Sequence, residues 1–294
     1  MYIIGNFIIF PIMWLISLLP MRILYLISNL VFFIAYYLLR YRRKIVLNNL
    51  TKSFPEKSKK DIVEISRKFY KHFSHLLVEI LKLTSISQKE LESRIVYKNP
   101  EIIEDLYNKG KHVVLIAAHY GNWEWLNGLC RSVHHRILSV YKPLTNKPLN
   151  NLFIKMRSRF GAELVPMTGV MRSIARMKKE NIPSAILLIA DQSPLRHLIQ
   201  YWTNFLNQDT PVFLGPAKIA IQTNQAVVFC KIMPTQPGYF EVEIIKLFED
   251  ASSANEIEIT EAHTRLLEKI ITEKPEYWLW SHRRWKHSRS QAEN

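Results

Sequence analysis

The sequence predicts an α/β domain, a mostly parallel sheet flanked by helices, carrying an apolar, membrane-anchoring helical segment at its N-terminus. Three observations point there. Four continuous apolar runs of strand length recur after residue 110: Val113 to Ala118, Ala185 to Ala190, Ala226 to Ile232 and Phe240 to Leu247. Stretches with helical spacing lie between or beside them, at Trp123 to Val133, Leu149 to Phe160, Val170 to Lys179, Gly215 to Thr223 and Thr260 to Thr272. Alternating buried strands and helices imply a largely parallel sheet covered on both faces. Third, Arg22 is the only charged side chain from Met1 to Leu39, and Arg40-Tyr41-Arg42-Arg43-Lys44 follows at once.

The head of the chain comes first. Tyr2 to Leu19, broken by Pro11, and Ile23 to Leu39, broken by Ser28 and Asn29, are two apolar runs separated by Pro20-Met21-Arg22. A helix needs about 20 apolar residues to cross a bilayer, and each run alone approaches that length. One tilted span, a tight hairpin, and a span with a second helix in the interface all fit. A soluble protein with a buried N-terminal hairpin is the competing arrangement. A cleaved signal peptide is not expected, because Met1-Tyr2-Ile3-Ile4 carries no positive charge. The basic block after Leu39 puts the emerging chain on the cytoplasmic side of the membrane. Residues 1–40 are thus read as the anchor and 41–294 as a single domain on the cytoplasmic face.

Beyond the anchor, Lys44 to Leu50 continues a helix that Ser53-Phe54-Pro55-Glu56 ends, since Pro55 disfavours helix at Phe54. Lys59 to Leu83 then places Ile62, Ile65, Phe69, Phe73, Leu76 and Leu77 on one side of a helix. His72 and His75 beside that stripe are read as packing.

Composition narrows the function classes. The chain has 294 residues, a net charge of +15 and 48% hydrophobic residues, with 8 Gly and 2 Cys. It buries a core, so disorder and collagen-like structure are excluded. Cys130 and Cys230 make no disulfide framework, and no Cys/His cluster suggests a metal. The charge suits nucleic acid, anionic lipid or an acidic partner. Its position beside an apolar head favours a membrane surface over nucleic acid.

The chemistry is sought where the first strand ends, in His119-Tyr120-Gly121-Asn122-Trp123-Glu124. Ligands of open α/β sheets bind beyond the carboxyl ends of the strands. Gly121 permits a tight turn and Asn122 is a good N-cap for the next helix. Glu124, in that helix's first turn, can reach back to the imidazole and fix its tautomer. No Ser or Cys nucleophile stands nearby, so His119 is placed as a general base on an incoming hydroxyl, with backbone N–H groups near Gly121 for the oxyanion. The plainer reading makes Glu124 a complement to the helix dipole.

These residues resemble the H-x4-D/E box of the glycerolipid acyltransferases, in the form used by the late acyltransferases of lipid A biosynthesis, the lauroyl and myristoyl transferases. The resemblance covers nearly the whole chain. Arg43 to Leu50 with Phe54-Pro55-Glu56, Tyr141-Lys142-Pro143 with Arg159-Phe160-Gly161, Ala190-Asp191-Gln192, Phe213 to Ala217, and Trp278 to Lys286 are similar to further boxes of that family, in the same order. Ser193-Pro194 and Leu195-Arg196-His197-Leu198 depart from its usual acidic and Gly-containing loop. The sister branch that acylates phosphatidylinositol mannosides shares most boxes.

The resemblance implies transfer of a fatty acyl group from an acyl carrier protein or CoA thioester to a hydroxyl of a lipid A precursor at the bacterial inner membrane, with no cofactor or metal. It gives His119 and Glu124 the catalytic roles. Asn122, Lys142, Arg159, Asp191, Gln192, His282, Arg283 and Arg284 become candidate substrate contacts. Arg159 is either a phosphate fork or a solvated helix-terminal arginine. Asp191 either orients a ligand hydroxyl or holds a basic neighbour, and Gln192 can donate to a carbonyl. His282, Arg283, Arg284 and Lys286 among Trp278, Trp280 and Trp285 form a cationic, aromatic cluster suited to an anionic glycolipid at a membrane interface. Two other readings stand beside this one: an acyltransferase for another lipid, such as a phosphatidylinositol mannoside or an aminolipid, and a membrane-tethered basic binding protein without catalysis.

Overall fold

The computed structural model describes residues 9–289. Residues 2–8 of the first apolar run lie outside the described residues. The head forms two helices, α1 (Phe10–Ser17) and α2 (Met21–Phe33), with Pro20 between them in an extended conformation that stops one and starts the other. A π-helical turn, Ile34–Leu38, prolongs α2. Met21–Leu38 is long and apolar enough to cross a membrane. Leu26, Leu30, Phe33, Tyr37 and Leu38 are exposed on its outward side.

Helices α3 (Arg43–Ser53) and α4 (Lys59–Lys82) follow, close to the predicted ranges. Ser58 and Asp61 cap α4 reciprocally. This helix joins the head to the body. Met21 and Leu24 pack on Val78. The buried Lys82 ammonium donates to the carbonyls of Ser17 and Leu19, both at 3.1 Å. Buried Glu79 accepts from Tyr25 Oη at 2.7 Å and from Asn122 Nδ2 at 2.9 Å.

The body runs through α5 (Gln88–Glu92), β1 (Ile95–Lys98), α6 (Glu101–Asn108) and β2 (Val113–Ala117). A 3₁₀ helix, Trp123–Arg131, replaces the predicted α-helix there. Asn127 Nδ2 donates to the carbonyl of Glu124 at 2.9 Å, a local bond that competes with the α-helical pattern. Next come β3 (Arg136–Tyr141), α7 (Lys147–Ser158), β4 (Glu163–Pro166), α8 (Val170–Lys179), β5 (Ser184–Ile189), the hairpin β6 (Tyr201–Phe205) and β7 (Gln208–Val212), α9 (Gly215–Thr223), β8 (Ala226–Gln236), β9 (Tyr239–Phe248) and α10 (Glu256–Glu273).

Seven strands form one sheet in the order β1-β9-β8-β2-β5-β3-β4. All pairs are parallel except β8 with β9. The prediction of a mostly parallel sheet flanked by helices agrees with this. β2 is buried at every residue, as a central parallel strand between helical layers should be. One core lies on the face towards α3, α4, α9 and α10, and the other lies towards α5, α6 and α7.

Candidate active site

Strand register builds the centre of the site. β2 pairs with β5 so that Ala117 stands opposite Ile189. Two positions further on, each chain passes the end of its strand with a polar residue, His119 on one and Asp191 on the other. Their side chains meet. His119 Nδ1 lies 2.7 Å from Asp191 Oδ1, and Gln192 Nε2 lies 3.0 Å from His119 Nε2. The ring therefore donates from Nδ1 to the carboxylate, and Nε2 accepts from the Gln192 amide. The Trp123 ring packs edge-on against the imidazole at 4.8 Å. His119 keeps some solvent exposure, while Asp191 is buried.

The C-terminal segment completes the arrangement. It runs back beside the turn after β2, with Tyr120 bridged to Trp278. Gly121 N–H donates to the carbonyl of Tyr277 at 3.0 Å, and Leu279 N–H to that of His119 at 3.1 Å. This brings Trp278 Nε1 to Asp191 Oδ2 at 2.8 Å, so both carboxylate oxygens are held. Burial alone would raise the Asp191 carboxyl. The His119 charge and the hydrogen bonds from His119 and Trp278 outweigh it and hold the group at about 2. Gly121 makes the turn with φ +58, and a Cβ there would sit 2.8 Å from the carbonyl oxygen of Ile232. No other residue fits that turn without moving the strand beside it.

The expected partner of His119 is corrected by this geometry. Glu124 does not reach the imidazole. It is buried and forms a two-pronged pair with Arg157 of α7, with Nε to Oε2 at 2.7 Å and Nη2 to Oε1 at 2.5 Å. The 3₁₀ turn after Asn122 points the carboxylate at α7, and the paired strand end offers Asp191 at the Nδ1 side instead. Arg157 went unnoticed in the sequence. It stands two residues before the Arg159-Phe160-Gly161 box, and a buried carboxylate's need for a cation was the available signal.

Several predicted substrate contacts take structural positions. Asn122 is fully buried and makes no side-chain cap; its amide donates to Glu79. Arg159 donates to the backbone carbonyls of Leu83 and Ile86, tying α7 to the end of α4, so its fork is spent on the protein. Arg284 is only 2% exposed, and burial pushes His282 down to about 4 against the opposing charge of Asp191, so it is neutral at pH 7. The cationic cluster thus reduces to exposed Arg283 and Lys286. Trp278 and Trp280 are core residues, and Trp285 donates to Thr210 at 2.7 Å, which removes the aromatic interface as well. The Gly121 N–H, engaged by Tyr277, is not free for an oxyanion. Lys142 is exposed in the loop after β3. Among the described residues no group of His, Cys, Asp and Glu is placed to hold a metal.

The N-terminal box turns out to support the C-terminal one. Asn49 Nδ2 donates to the carbonyls of Trp280 at 2.9 Å and His282 at 3.0 Å, and Arg42 donates to that of Ser281 at 3.1 Å. Phe54 packs on Trp280. Residues some 230 apart in sequence thereby fix the segment that delivers Trp278 to Asp191.

Comparison with known proteins finds relatives among acyltransferases. The phosphatidylinositol mannoside acyltransferase of Mycobacterium tuberculosis (strain ATCC 25618 / H37Rv) is 24% identical over 154 residues, 51% of this chain and 48% of that protein. The phosphatidylinositol mannoside acyltransferase of Mycolicibacterium smegmatis (strain ATCC 700084 / mc(2)155) is 26% identical over 153 residues, 51% of this chain and 49% of that protein. The chain spans about half the length of the curated relatives it matches. The family model described as bacterial lipid A biosynthesis acyltransferase matches residues 1–287, and on that match over nearly its whole length the chain belongs to this family.

Proposed function

We propose that the protein is an O-acyltransferase that moves a fatty acyl group from a thioester of acyl carrier protein or CoA to a hydroxyl of an anionic glycolipid, a lipid A precursor, at the cytoplasmic face of the bacterial inner membrane. The observation that carries the reading is the buried Asp191 holding a partly exposed His119 by Nδ1, at the carboxyl ends of two paired strands. Family membership supplies the reaction class.

The steps follow from the tautomer. With its proton on Nδ1, the ring offers Nε2 as a base, and the Gln192 amide now occupying Nε2 marks where the acceptor hydroxyl donates. His119 takes the hydroxyl proton as the oxygen attacks the thioester carbonyl carbon. Asp191 stabilises the imidazolium. Displaced by the hydroxyl, Gln192 is free to donate to the oxyanion. Collapse breaks the C–S bond, and the thiolate leaves with the proton from His119. The exposed apolar face of Met21–Leu38 lies in the bilayer and keeps the site where the acceptor is.

The experiment is acyl transfer by the purified full-length protein in detergent, with acyl-acyl carrier protein and acyl-CoA offered separately. A lipid A precursor and a phosphatidylinositol mannoside serve as acceptors, the latter because the relatives carry that name. A mass increase of one acyl group on the lipid A precursor is the expected result. Acylation of the mannoside alone would move the assignment to that lipid, and no transfer to either acceptor would overturn it.

A further inference from the structure

Beside the His119–Asp191 pair lies a small cavity of about 20 Å³. Asp191, Arg284, His263 and Thr264 supply its polar wall, with Phe205 and Phe229 among its apolar lining. Arg284 is buried, and its Nε and Nη1 have no hydrogen-bond partner among the described residues. His263 Nε2, also buried, is in the same condition. Such groups are costly to bury, and an arginine in an apolar pocket is a poor choice for stability alone. The charge persists nonetheless: burial lowers the guanidinium to about 10, and Asp191 opposes that fall.

We propose that Arg284 is a positioning residue for the catalytic pair, its fixed positive charge acting on Asp191 across a cavity-held water that bonds Arg284 and His263. The cavity has the volume of one water, and the orphaned nitrogens supply its partners. The charge joins the hydrogen bonds from His119 and Trp278 in holding Asp191 ionised, so that the carboxylate accepts from Nδ1 and the ring keeps Nε2 free. Among the described residues, the charged and titratable groups facing the pair are Arg284, His263 and His282, with Lys286 beyond His282; Trp278 and Gln192 face it as neutral donors.

The inference rests on His119 acting as the base, and its test separates the two. The full-length protein in detergent micelles is compared with Arg284→Met and Arg284→Lys. The His119 ring is followed by histidine NMR, assigned with a His119→Gln spectrum, and acyl transfer is followed against pH. Removing a nearby cation favours the imidazolium. The ring titration and the acid limb of kcat/KM in Arg284→Met should therefore move up by about 1 pH unit, with activity on that limb falling by up to about tenfold. The unfolding temperature should stay level or rise, because methionine suits an apolar pocket. Arg284→Lys, which keeps the charge, should restore the native midpoint. If Arg284→Met does not fold, Arg284→Gln carries the same test, since its amide bonds the water without a charge. A ring titration unmoved in the uncharged variant overturns the proposal. If the native protein transfers no acyl group, the NMR titration still decides this proposal while the reaction assignment falls.

Discussion

Two buried carboxylates stand near His119, one close in sequence and one close in space. Glu124 follows the histidine by five residues on the same turn, yet it is locked to Arg157 of α7. Asp191 is 72 residues away and holds the ring at 2.7 Å. The first carboxylate meets a full positive charge on a neighbouring helix and neutralises it. The second meets a ring that titrates, and a tryptophan N–H fixes its other oxygen. Proximity along the chain decides which element a residue rides on, but strand register decides which side chains touch.

The comparison can be broken most sharply at Asp191. Asp191→Asn keeps the shape but loses the acceptor that fixes the Nδ1 proton, so kcat should fall about 10³-fold with the fold retained. His119→Ala should do at least as much. Native activity in Asp191→Asn, measured on the purified protein, would return the orienting role to Glu124.

Glu124 should fail differently. Glu124→Ala strands Arg157 and should cost about 3 kcal/mol of stability, seen as a lower unfolding temperature. Activity per folded molecule should fall less than in Asp191→Asn. A Glu124→Gln, Arg157→Met double variant should recover most of that stability, because both charges go together.

The smallest effect is in acid. Asp191, ordinarily at 3.8, is held at about 2 in the fold. Folding thus favours its ionised form, and the stabilisation is complete above about pH 4 and lost as pH falls towards 2. Its size is about 2 kcal/mol. The unfolding temperature of Asp191→Asn should therefore decline less steeply than that of the native protein over this window.

Much of this architecture was legible beforehand. The helices Val170–Lys179 and Gly215–Thr223 match the periodic segments end to end, and the apolar runs mark four of the sheet's strands. β1, β3 and β4 escaped because their signal is short or interrupted. β1 lies at the sheet's edge and alternates in burial, Ser139 interrupts β3, and β4 is a four-residue edge strand. His119 and Asp191 were visible as polar residues ending apolar runs. Their partnership was not, because it depends on β5 lying directly beside β2, and a sequence does not state strand order. The C-terminal tryptophans misled for a related reason. Dense charge between aromatics suggests a surface, but Asn49 and Arg42 supply the donors that let this segment fold inward.

Glu79 carries a consequence for how the protein can be handled. One of its oxygens takes the Tyr25 hydroxyl from the apolar head and the other takes the Asn122 amide from the turn that follows His119. Burial raises this carboxyl above its ordinary value, and those two bonds oppose the rise together with a hydrogen bond from the Gly238 backbone and the charge of Arg94. The limit near residue 40 is therefore a change of solvent preference across which the structure is continuous. Trimming the head would remove the Tyr25 hydroxyl from Glu79 and uncover Val78 and Lys82. A tilt of α2 in a bilayer of different thickness would pull on the same carboxylate. Glu79 thus couples the packing of the head to the turn that follows His119, alongside the contacts of Met21 and Leu24 with Val78 and of Lys82 with Ser17 and Leu19.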